Sequence, residues 1–146
     1  MTKAGAAVLL GFVGLVFLPI LGAQTPPEFK VVVNSANTVS ALPRDSLSRI
    51  FLKKTTTWPN DQKVVPVDQA TNAPSRRAFS KAVLAREPSE IAAYWNQMIF
   101  SGRGLPPVTK ASDSEVLTFV RDNPNAIGYV AGDTKVGDGV KTLTVE

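Results

Sequence analysis

Pro43-Arg44-Asp45-Ser46-Leu47-Ser48-Arg49-Ile50-Phe51-Leu52, then Val64-Val65-Pro66-Val67-Asp68, then Asn72-Ala73-Pro74-Ser75-Arg76-Arg77-Ala78-Phe79 follow one another in this chain of 146 residues, and their order decides the fold class. In the first segment Leu47, Ile50 and Phe51 recur at i, i+3 and i+4, the spacing of a helix docked by one face. Lys53-Lys54 are expected to close its last turn, where cations complement the helix dipole. A loop with the turn chemistry of Trp58-Pro59-Asn60-Asp61 leads into Val64–Asp68, a strand. The third segment starts a second helix, with Pro74 in the first turn, where its missing N–H costs nothing. Phe79 and Val83, with Ala78 and Ala82, are expected to form its apolar face.

The pattern extends in both directions. Upstream, Phe29 to Asn34 is a continuous β-branched run bounded by turn formers, which suits a strand buried on both faces, as in parallel sheets. Downstream, Pro88-Ser89-Glu90 starts a third helix whose Ile91, Tyr94, Trp95, Met98 and Ile99 keep helical spacing, with Gly102 placed to end it. Ser112-Asp113-Ser114-Glu115 has the form of a capping box before Val116, Leu117, Phe119 and Val120. Asn123-Pro124 stops that helix. Ala126 to Val130 reads as a strand, and Val140 to Val145 as a last, alternating strand at an edge. Strands alternating with helices imply an α/β fold, a mostly parallel sheet flanked by helices.

The ends and the composition narrow the function classes. Lys3, the uncharged run from Ala4 to Leu21, and Gly22-Ala23 have the form of a secretory signal peptide over residues 1–23. Pro19 and the lack of a basic stop-transfer flank favour cleavage over an uncleaved anchor, although roughly eighteen apolar residues could span a bilayer. Residues 24–146 then form one domain, free in the periplasm or secreted and without stable membrane insertion. The formal charge of +4 is spread along the chain, without the basic stripe that nucleic-acid binding requires. There is no cysteine and no histidine. That removes disulfides, Cys/His zinc sites and Ser-His-Asp or Cys-His nucleophiles, so no catalytic residue, metal or cofactor is assigned.

The segments quoted above, with Tyr94-Trp95, Phe100-Ser101-Gly102-Arg103-Gly104 and Asn123-Pro124-Asn125-Ala126-Ile127-Gly128-Tyr129-Val130, carry a resemblance. In this order and spacing the chain resembles the phosphate-type substrate-binding proteins of bacterial ABC importers. The resemblance covers nearly all of residues 24–146 and about one lobe of the usual two-lobed protein. It implies one lobe of a type II periplasmic-binding-protein-like fold. It also implies non-catalytic binding of phosphate or a similar oxyanion, and an ABC permease or another envelope protein as partner.

In that family an arginine followed by a Gly-Ser-Gly-Thr-like run holds the anion, with an aromatic residue one helical turn further on. Anchored on Phe79, the resemblance puts Gln69 at the arginine position, Ala73 and Pro74 within the glycine-rich part, and Ser75 at the threonine. Gln69 lacks the charge and Pro74 lacks an N–H, so affinity is expected to be weak. The oxyanion-site candidates implied are Thr71, Asn72, Ser75, Arg76, Arg77 and Ser112. Each has a plainer reading beside it: a capping hydroxyl for Ser75 and Ser112, surface cations for Arg76 and Arg77. Gly128 is assigned to close backbone approach. The rival to ligand binding is an envelope interaction module that has lost its ligand.

Overall fold

A computed structural model describes residues 28–146. The expected signal peptide, residues 1–23, lies outside the described residues. Six strands form one sheet: β1 (Phe29–Asn34), β2 (Ala41–Leu42), β3 (Val65–Gln69), β4 (Val108–Lys110), β5 (Ala126–Ala131) and β6 (Val140–Val145). Their spatial order is β2-β6-β1-β5-β3-β4. Three of the five pairings are parallel, β2 with β6, β3 with β4, and β3 with β5. The sheet is mixed rather than wholly parallel, because β1 runs antiparallel to both β5 and β6. The apolar run of β1 reflects burial on two faces, and two helical layers supply that burial whatever the direction of the neighbours.

The alternation of side chains along the strands divides the core. Val31, Val33, Ile127, Tyr129 and Leu143 point to one face. Val32, Val67, Ala126, Val130 and Val140 point to the other. Helix α1 (Arg44–Phe51) covers the first face with Leu47, Ile50 and Phe51. Helices α2 (Pro74–Phe79) and α3 (Pro88–Phe100) add Phe79, Ile91 and Trp95 to it. Phe79 stacks on Tyr129 with ring centroids 4.0 Å apart, and Phe51 and Phe29 pack around the pair. Helix α4 (Asp113–Asp122) covers the second face with Val116, Leu117 and Val120.

Several local expectations need correction. Lys53 lies beyond α1 with φ +54°, so it belongs to the turn that leaves the helix and not to its last turn. Val140–Val145 is not an edge strand, since the two residues of β2 pair outside it. So short a strand carries almost no periodic signal. A π-helical turn, Ser80–Leu84, extends α2. Its wider turn directs Ser80, Val83 and Leu84 inward and leaves Ala82 exposed. Ile99 is exposed too, because α3 runs past the edge of the core in its last turn.

Helix α4 begins where the capping pattern places it. Ser112 Oγ accepts from Glu115 N at 3.2 Å, a cap worth about 0.5–2 kcal/mol. Glu115 reaches back to accept from Ala111 N, one residue earlier than in a regular capping box. Trp58 is buried and donates from Nε1 to the Asn125 carbonyl at 3.0 Å, which ties its loop to the start of β5.

Candidate functional site

The end of β3 carries two polar residues, Asp68 and Gln69, and their bonds determine the chemistry available there. Asp68 follows the three apolar residues that open β3, and its carboxylate is buried. It accepts from Gln69 N at 2.8 Å and from the Tyr129 hydroxyl, and it forms an ion pair with Arg76. Burial, and then the Asp68 charge, hold the Tyr129 phenol far above its ordinary range, so it stays protonated and acts as a donor. Arg76 donates a second bond from Nη1 to the Gln69 carbonyl at 3.2 Å. Arg76 is the eighth residue after Asp68, and the β3–α2 turn folds the arginine back over the strand that it leaves.

Gln69 is the hub of the second half of the network. Its side-chain nitrogen donates to Asp113 Oδ1 at 2.7 Å and to the Tyr129 carbonyl at 2.8 Å. Its side-chain oxygen accepts from Ser75 Oγ at 3.0 Å. Asp113, at the start of α4, also accepts from Ala131 N at 3.1 Å and Thr134 Oγ1 at 2.6 Å. One carboxylate thus gathers β3, β5 and the turn after β5 around the head of α4. Backbone N–H, hydroxyl and amide donors of this kind commonly hold an oxyanion, and here they hold an internal one.

The six residues expected at an oxyanion site are consequently divided. Ser75 and Arg76 are buried and bonded within the network. Arg76 is therefore not the surface cation of the plainer reading. Ser112 is exposed, and its hydroxyl is engaged in the α4 cap. Thr71 and Asn72 lie exposed on the loop, and Arg77 is exposed on α2. Asn72 and Arg77 share a concavity of about 570 Å³ with Glu28, Pro74 and Lys81. Lys81 is bridged to Glu87 at 3.0 Å, which leaves Arg77 as the cation best placed for an anion on that surface.

Asp68, Asp113, Tyr129 and Thr134 were not singled out from sequence as site residues. A carboxylate at the inward position of an apolar strand was a usable signal, since a buried charge requires a partner. Asp113 gave none, because an acidic residue in the first turn of a helix is ordinary.

No family model matches the chain. The chain is 28% identical over 119 residues to the phosphate-binding protein PstS of Bacillus subtilis, a match that spans 78% of this chain and 34% of that protein. In sequence the chain is thus similar to part of a phosphate-binding protein. It spans about a third of that curated relative's length.

The fold agrees with this relation. An ABC-type phosphate transport receptor from Vibrio cholerae superposes with a TM-score of 0.63 at 23% identity, over 81% of this chain and 46% of the receptor. A Clostridium perfringens protein, assigned as a phosphate ABC transporter substrate-binding protein and solved with bound phosphate, superposes with a TM-score of 0.65 at 21% identity. That match covers 81% of this chain and 44% of the other. PstS from Borrelia burgdorferi gives 0.62 at 13% identity. The shared part is about half of each, one lobe of the α/β architecture. These relatives are named for binding and transport, not for a reaction.

Proposed function

We propose that this chain is an exported, non-catalytic domain of the substrate-binding type, and that it contacts phosphate or a similar oxyanion weakly. One observation carries the reading. The polar groups at the end of β3 bond to one another: Gln69 to Ser75 and Asp113, and Asp68 to Arg76 and Tyr129. Among the described residues Arg76 Nε is the one buried donor of this network without a partner, so little capacity is left there for a ligand. What faces solvent is the loop with Thr71 and Asn72, followed by Arg77. A solvated site whose one cation outside an ion pair, among the described residues, is Arg77 supports millimolar affinity, on the order of 4 kcal/mol.

Titrating the protein with phosphate and sulfate, followed by amide NMR shifts, tests this reading. The expected result is saturable shifts at Thr71, Asn72 and Arg77 in the millimolar range, weakening as ionic strength rises. Shifts confined to Ser112 or to the Lys53-Lys54 turn would move the site elsewhere. No response at millimolar phosphate would favour the second reading, an interaction module without a ligand. The internally bonded Asp113 carboxylate specifically favours that second reading.

Export through residues 1–23, with 24–146 as one periplasmic or secreted domain, forms part of the proposal. Among the described residues no helix is long and apolar enough to cross a membrane. Intact-mass measurement of the periplasmic fraction is expected to show a chain shortened near Ala23. Recovery of the full-length chain in membranes alone would refute cleavage. An ABC permease or another envelope protein is the partner class that this reading implies.

A further inference from the structure

Apart from the network at the end of β3, the turn after α1, the loop before β3 and the segment before β4 enclose a groove of about 470 Å³. Its inner wall is apolar, formed by Val64, Val65 and Pro66 at the start of β3. Its outer lip is Leu105 and Val108, which are 67% and 48% exposed. Strand β4 pairs only with Val67–Gln69, so Val65 and Pro66 have no strand beyond them on that side. Pro66 offers no N–H, which blocks a further strand from adding there. An occupant must be held by side chains.

Three cations line the same groove: Lys53, Lys63 and Arg103. Among the described residues none of them lies within ion-pair distance of a carboxylate. Lys53 finds only the Pro106 carbonyl, at 3.3 Å. Partial burial, and then the charge of Lys63, lower the Lys53 pKa from its ordinary value. Like charges gathered against an apolar wall are relieved by a counter-charge that also brings apolar surface.

We propose that this groove docks an acidic, amphipathic peptide segment of a partner protein, with apolar side chains against Leu105 and Val108 and carboxylates against Lys53, Lys63 and Arg103. Charge complementarity selects that occupant. A second copy of the chain would bring the same basic face and a net charge of +4. A flat anionic bilayer would meet the rim of the concavity without reaching its wall. The groove differs from the oxyanion surface in both lining and chemistry, so either can fail without the other.

The test uses a fluorescein-labelled peptide of alternating glutamate and leucine, with a lysine–leucine peptide as control, followed by anisotropy. The acidic peptide is expected to bind and the basic one not. Reversing both Lys53 and Lys63 to glutamate is expected to weaken binding at least about tenfold, and added salt to weaken it in the unmodified protein. Leu105→Ser should weaken it several-fold with salt held constant. All three positions are exposed, so circular dichroism should be unchanged. The salt series on the unmodified protein keeps the test valid should a variant misfold. Absence of peptide binding overturns the proposal, as does binding that both kinds of variant leave intact. Two further results overturn it in favour of another occupant: binding only to phosphatidylglycerol vesicles, or self-association abolished by the same substitutions.

Discussion

Arg76→Ala is expected to destabilise the protein by about 3–5 kcal/mol, the typical cost of breaking a buried ion pair by removing one partner. Arg76 and Asp68 are both buried, and the pair is joined to the Tyr129 hydroxyl and the Gln69 backbone. Without the guanidinium, the Asp68 carboxylate keeps two neutral donors but has no counter-charge in a site that water barely reaches. The neighbouring Arg77 is the internal control. It is exposed, and Arg77→Ala should change stability by no more than about 0.5 kcal/mol. Urea unfolding followed by the fluorescence of the buried Trp58 and Trp95 measures both. Removing Asp68 together with Arg76 should cost less than the sum of the single losses, because each single variant strands its partner. Equal midpoints for the two arginine variants would show that the ion pair does not support the fold.

Gly128→Ala should also destabilise, by about 1–3 kcal/mol, the range for overpacking a filled core. A Cβ at Gly128 would lie 2.7 Å from Val67 Cγ1 and 2.8 Å from Val116 Cγ1. Neither valine has room to move. Both have 0% exposure, one on the adjacent strand and the other on α4. Alanine suits an extended strand better than glycine, by roughly 0.5–1 kcal/mol, so the clash prevails and the net sign is a loss. Trimming the obstacle should restore part of it: Gly128→Ala with Val116→Ala is expected to be less unstable than the two single losses added. A thermal midpoint for Gly128→Ala at or above that of the unmodified protein would refute the close approach of α4 to β5.

The relation to longer binding proteins gives these predictions a functional context. In this chain the polar cluster at the end of β3 serves as an internal brace. Gln69 stands where the family resemblance puts an arginine, and its amide bridges Ser75 and Asp113. A neutral, two-sided hydrogen-bonding group is suited to that bridge, whereas a guanidinium has no acceptor to offer Ser75.

Much of the architecture could be read locally. The spacing of Leu47, Ile50 and Phe51 located α1, Pro74 opened α2, and Ser112 with Glu115 set the start of α4. Gly128 was assigned to close backbone approach, and the space a Cβ would need there is taken by Val67 and Val116. These features repeat every two to four residues or depend on one residue's backbone, so a single sequence carries them.

The rest was decided by partners far along the chain. Asp113 finds Gln69 across 44 residues, Gln69 finds the Tyr129 carbonyl across 60, and Tyr129 meets Asp68 across 61. The direction of β1 and the interior place of β6 depend likewise on strands a hundred residues away. By itself the sequence determined the longer helices and strands and most of their apolar faces, because those properties arise from local periodicity, while the resemblance to a family came from the order of whole motifs. Only the tertiary structure decided that Arg76 turns inward while Arg77 stays in solvent, since burying a charge is tolerable only where the fold delivers its counter-charge.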